Sequence, residues 1–285
     1  MLSLRNGLNA FRRLIQEHPL ESFFVLAYGL SWWPGILYMM GHSPVPIVGF
    51  GPFLAVVIVL ACTGGKRAIG GLLRSMVRWR VEKRWYAVAL LLPISIAALA
   101  TGLNVLFGGY RPTVDQLSGF PAALAALPIF LLIPGLGGAW EEPGLRGFAL
   151  PRFQQTRSPL VASLIMGVLH AAWHLPLFFT GEIKWPDIWL ILAANMVLTW
   201  VFNGTRGNVF IIMLLHATNN AVSGNFFSAL FSGHDAVRQS ALLAALWTVA
   251  AIGVVAFNGK AFIKRPNVSI SPDRATSLTL DPLSA

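Results

Sequence analysis

Apolar residues in this chain come in runs of about 20, the length that crosses the hydrocarbon core of a bilayer. Short clusters of Gly, Pro and basic residues separate the runs. The pattern predicts eight transmembrane helices, near 20–40, 45–63, 86–107, 120–150, 160–180, 188–202, 209–224 and 239–257. The sixth and seventh are short and suit tilted or partly re-entrant segments. The fourth opens on "FPAALAALPIFLLIPGLGGAW" and runs on through Glu141 and Glu142. The expected fold is all-α, a polytopic membrane helix bundle. A leader occupies 1–19, and a transmembrane domain 20–262 carries its polar motifs in 120–224. The tail over 263–285 is polar, without apolar period, and is expected to be disordered.

Composition agrees with a membrane solvent. Only 11% of the 285 residues are charged and 55% are hydrophobic, where a soluble domain carries about 25% charged residues. The first apolar run begins near Leu20, behind a basic and polar leader. It is too long for the core of a cleaved signal and is expected to remain as a helix. A single cysteine, Cys62, lies inside an apolar run, which leaves no disulfide framework and no cysteine zinc site. Of the 21 basic residues, all but Arg111, Lys184 and Arg238 fall on the termini and on the alternate loops that share their side. Lys and Arg concentrate on the cytoplasmic side of membrane proteins, so a multi-pass cell-membrane protein with both termini cytoplasmic is expected. That bias also accounts for the net charge of +10, so nucleic acid is not an expected partner. The segment "GKRAIGGLLRSMVRWRVEKRW" mixes basic and apolar residues in the manner of an amphipathic helix facing anionic lipid.

Ionisable residues within membrane spans are costly and by default face a cavity or a partner. Here they are Glu141, Glu142 and Arg146 on the fourth span, His170 and His174 on the fifth, and His216 on the seventh, with Asn195, Asn219 and Asn220 beside them. At 1.5 Å per helical residue, Glu141 lies roughly 16 Å from Arg152, His174 roughly 21 Å from the start of the fifth span, and His216 and Asn220 roughly 10 and 16 Å from the start of theirs. Polar groups from three helices thus reach overlapping depths. Glu142 and Arg146 stand four apart in the favourable acid-first order and read as a structural ion pair. Glu141 then points about 100° away and is free for chemistry. As a general base it could activate water, with His174 orienting that water and His216 and Asn220 donating to an oxyanion. His170 would be an accessory group. Glu141, His174 and His216 also suit a divalent metal such as zinc with an open position, so a metal site and a metal-free base both stand.

The stretches "EEPGLRG", "HAAWHLPLFF" and "HATNN" resemble the motifs of the CPBP family, the CAAX prenyl endopeptidases and bacteriocin-processing (Abi) intramembrane proteases. That family carries Glu-Glu-x-x-x-Arg, aromatic-x-x-x-His and His-x-x-x-Asn-like motifs on separate helices. Glu141, Glu142 and Arg146 match the first, and His216 and Asn220 the third. His174 falls at the second motif's histidine, which leaves His170 where an aromatic residue is usual; Pro143 is a further departure. The resemblance spans about 120–224. It implies an eight-helix-type bundle with a site inside the membrane, open toward the cytosol, that hydrolyses a peptide bond of a membrane-associated peptide or protein. A non-proteolytic protein of the same fold, such as a bacteriocin-immunity or chaperone-like factor, is the alternative. A transporter is disfavoured by the lack of an internal repeat.

Overall fold

A computed structural model describes residues 2–264; most of the expected tail lies outside the described residues. Among the described residues every regular element is helical, as the run lengths imply. The principal helices are α1 (Leu2–Glu17), α2 (Pro19–Met39), α3 (Gly51–Thr63), α4 (Gly65–Met76) and α5 (Lys83–Leu106). After a site-bearing helix over 138–154, labelled α6, come α7 (Pro159–Trp173), α8 (Trp185–Gly204), α9 (Val209–Thr218) and α10 (Gly233–Ile263). Three of them, Lys83–Leu106, Trp185–Gly204 and the Gly233–Gly259 part of α10, are long and apolar enough to cross a membrane. Gly51–Thr63 and Pro159–Trp173 are shorter apolar helices.

The fourth expected span is not one helix. Phe120–Ala125 and Leu127–Leu132 form two short helices, then the chain turns through Gly135 and Gly137 before α6 begins. Both glycines hold positive φ, +90° and +80°, a region that residues with a Cβ avoid. Pro121, Pro128 and Pro134 each remove a backbone N–H, so "FPAALAALPIFLLIPGLGG" cannot sustain one hydrogen-bond ladder. The seventh, by contrast, is longer than expected, because α9 continues as a π-helical stretch, Asn219–Phe227.

α9 is the axis of the bundle. Its first two turns, VFIIMLL, are apolar all round, the composition of a helix surrounded by others, and Ile211, Ile212 and Leu215 are almost completely buried. α5, α8 and the α6 segments pack around it, and α8 is in turn flanked by α7 and α10. α2 packs on α3 and braces α7: Tyr28 donates to the Leu169 carbonyl at 2.6 Å, and Trp32 Nε1 donates to the Trp173 carbonyl at 2.9 Å.

The two ends of the bundle differ chemically. At one end α4 buries Leu72 and Met76 while Lys66, Arg67 and Arg74 face outward, the amphipathic helix expected of that segment. Arg78 there donates to the carbonyls of Thr205 and Arg206 at the end of α8, and Asn208 both caps α9 at Ile211 N and donates to the Arg78 carbonyl. The opposite end is tied by Asn104, Asp235, Arg238 and Gln239.

Candidate active site

The site begins where α6 begins. Gly138–Glu141 is a tight 3-10 turn, Glu142–Gly144 one α turn with Pro143 in its first positions, and Leu145–Ala149 a π-helical turn. Proline is tolerated at Pro143 because the first turn of a helix has no use for its missing N–H. The π turn places Arg146 in the bundle interior, and a second π segment starts at Asn219, beside Asn220. Such widened turns recur at functional positions in helices.

Glu142 and Arg146 do pair, and both side chains are fully buried. One guanidinium nitrogen lies 2.9 Å from both carboxylate oxygens. The other donates to Asn195 Oδ1 at 2.5 Å. Because Arg has no acceptor, it fixes which end of the Asn195 amide faces it. The Asn195 NH2 group therefore points away, donating to the Ile191 carbonyl at 2.6 Å and toward His170 Nδ1 at 3.3 Å. His170 Nδ1 must then be the acceptor and Nε2 the protonated nitrogen, and Nε2 donates to Glu141 Oε2 at 2.8 Å. A single polar chain, Glu142–Arg146–Asn195–His170–Glu141, thus links the two adjacent glutamates through the inside of the bundle. Glu141 Oε1 has no hydrogen-bond partner among the described residues.

The expected roles distribute differently in space. His170, placed in the sequence as an accessory, is the direct partner of Glu141, whereas His174 uses Nδ1 to donate to the His170 carbonyl at 2.8 Å. The reason is local: α7 ends at Trp173, and Leu175 and Pro176 open a new short helix. His174 therefore sits at a break rather than one clean turn beyond His170. His216 lies not on Glu141 but on Glu142, with Nδ1 2.5 Å from Oε1. Asn219 donates to Asn220 Oδ1 at 3.4 Å, which leaves the Asn220 NH2 group directed elsewhere. Asn195, an uncharged amide in an apolar helix, was read from sequence as a companion polar group. Its bridging role has no signature in α8 itself.

A cavity of about 290 Å³ adjoins these groups. His170, His174, Asn195, His216, Asn219 and Asn220 line it, above an apolar floor that includes Leu198, Leu215 and Trp247. Glu141 stands just behind the His170 ring and is 5% exposed. The space beside His216 depends on Gly138, where a Cβ would collide with the imidazole. Gly138→Ala is accordingly expected to lower stability by about 1–3 kcal/mol, the range for overpacking a filled interior. Thermal unfolding in detergent reads this, and an unchanged midpoint would mean that His216 can move aside.

A family model described as type II CAAX prenyl endopeptidase Rce1-like matches residues 121–222. Over this segment the chain is similar to that family. CAAX prenyl protease 2 of Methanococcus maripaludis is 28% identical over 141 residues, 45% of this chain and 51% of that protein. The chain thus aligns with about half the length of that relative. The matched segment holds Glu141, Glu142, Arg146, His170, His174, Asn195, His216 and Asn220 together.

The site can be tested for a metal on its own geometry. Glu141, His170 and His174 offer ligand atoms within 4.8 Å of one another, a two-imidazole, one-carboxylate set. It is not the expected set, since His216 is held by Glu142 and His170 takes its place. A metal would need His170 Nε2 free of its proton, which moves that proton to Nδ1, against the Asn195 NH2 group. Arg146 prevents that amide from turning. The donors are of the right kind, and the hydrogen-bond network opposes their use.

Proposed function

We propose that this chain is an intramembrane endopeptidase of the CAAX-protease type, acting on a membrane-associated peptide or protein through a metal-free, glutamate-activated water. The observation that carries the reading is the buried Glu141–His170 pair at 2.8 Å beside a cavity inside a helix bundle. His170 holds Oε2 and leaves Oε1 of the carboxylate to accept a proton from water, the task of a general base. His174, its Nδ1 occupied by a carbonyl, presents Nε2 as an acceptor that can position the same water. When the water oxygen attacks the scissile carbonyl, negative charge grows on the carbonyl oxygen. The Asn220 NH2 group is the donor available to meet it. His216 can add a second donor from Nε2 only when its ring carries both protons, since Nδ1 is committed to Glu142. Collapse expels the amine, and the proton gathered on Glu141 supplies the leaving nitrogen.

In this reading Glu142 and Arg146 position rather than react. They hold His216 on one side and, through Asn195, the His170 tautomer on the other. The bilayer is both solvent and partner, because the substrate must deliver its peptide bond at membrane depth.

The test is cleavage of a fluorogenic membrane-peptide library by purified protein in detergent, with and without a strong chelator. Cleavage that persists unchanged in chelator is expected. Cleavage abolished by chelator and restored by zinc would overturn the metal-free part and assign Glu141, His170 and His174 to a metal. A wild-type protein that cleaves nothing while retaining the fold would favour the non-proteolytic reading.

A further inference from the structure

The direction in which the cavity opens is fixed by the helices that line it. α8 begins at Trp185 and reaches the Arg78-capped end of the bundle at Gly204. Cavity residues on α8 run from Asp187 to Leu198, a depth of roughly 16 Å at 1.5 Å per residue. Glu182, beside the start of α8, and Gly224, on the π-helical extension of α9, are both exposed and mark the mouth. Leu198, Leu215 and Trp247 are buried and mark the floor. Below the floor the bundle is filled by Val201, Phe202, Ile211 and Ile212 and closed by the Arg78–Thr205–Asn208 hydrogen bonds.

The mouth therefore lies at the end away from the basic residues. Lys66, Arg67, Arg74, Arg78, Lys83 and Arg84 gather at the closed end with Arg157 and Arg206, and the mouth end holds Arg111, Lys184 and Arg238. Two expectations raised by the sequence, cytoplasmic termini and a cytosol-facing site, are incompatible with one another in this geometry. The basic-residue bias is a property of this chain, while the cytosolic opening came only with the resemblance.

We infer that the cavity opens on the extracytoplasmic side of the membrane, and that its substrate is a peptide segment presented at the outer leaflet. The word substrate rests on the protease reading, whereas the direction of opening does not. The closed end, with its amphipathic α4 and outward-facing Lys66, Arg67 and Arg74, then rests on the anionic inner leaflet. A segment descending from outside meets His170, His216 and Asn220 before it meets the apolar floor.

Single-cysteine labelling in intact cells tests this without requiring activity. In a Cys62→Ala background, Glu182→Cys and Ala229→Cys report the mouth and Arg157→Cys the closed end; all three positions are exposed. A membrane-impermeant maleimide is expected to label either mouth cysteine in intact cells, and the Arg157→Cys protein only after permeabilisation. Two mouth positions guard against one variant failing to fold. The reverse pattern, or labelling of both ends in intact cells, would overturn the inference. Loss of proteolysis with the expected labelling would sink the protease reading alone.

Discussion

Replacing Glu141 with Gln is expected to lower peptide cleavage by about 10²–10⁴-fold, the usual contribution of a positioned general base. The substitution keeps shape and one acceptor oxygen, so His170 Nε2 retains a partner and the helix bundle should unfold at nearly the wild-type temperature. What disappears is the carboxylate oxygen able to take a proton from water. His170→Gln should fall in the same range, because it releases Oε2 and the fixed orientation of the carboxylate. His174→Gln should cost less, since that ring is anchored to a carbonyl and not to Glu141. Cleavage rates of the three variants beside their unfolding midpoints provide the check. Equal losses at His170 and His174 would mean that the direct contact is not what matters.

The second large effect concerns stability. Arg146→Met removes the positive partner of a carboxylate that is completely buried, and breaking such a pair from one side costs about 3–5 kcal/mol. Glu142 would be left with His216 alone, and Asn195 would lose the donor that orients it. The double variant Glu142→Gln/Arg146→Met should recover much of that loss, because no uncompensated charge remains in the interior. It should still be inactive, since the Asn195 amide that sets the His170 tautomer is then no longer oriented by Arg146. Unfolding in detergent across the four members of this cycle separates the two effects. If Arg146→Met is as stable as wild type, the pair is not the structural centre of the site.

Much of this arrangement is legible in the sequence, for reasons that differ residue by residue. Acid-first spacing of four placed Glu142 on Arg146, and the 100° step then turned Glu141 elsewhere; both follow from helix geometry even with a π turn at Leu145–Ala149. The polar residues announced themselves because a bilayer tolerates few of them. The choice between His170 and His174 was not legible. Spacing of four puts both on one face of an ideal helix, and only the break before Pro176 turns His174 back on the His170 carbonyl. Asn195 was hidden for a different reason: its partners Arg146 and His170 lie 49 and 25 residues away. The broken fourth span was written in Pro134, Gly135 and Gly137, but hydropathy averages over exactly the residues that end a helix.

The most direct test of the central claim is a single turnover of wild-type protein in ¹⁸O-labelled water, with the new carboxyl terminus of the product analysed by mass spectrometry. A water activated by Glu141 and His170 attacks the peptide carbonyl itself, so the first turnover should place one ¹⁸O atom in the product carboxylate. A first-turnover product without label, with ¹⁸O found instead on Glu141, would show that the carboxylate attacks the substrate directly and would contradict the account.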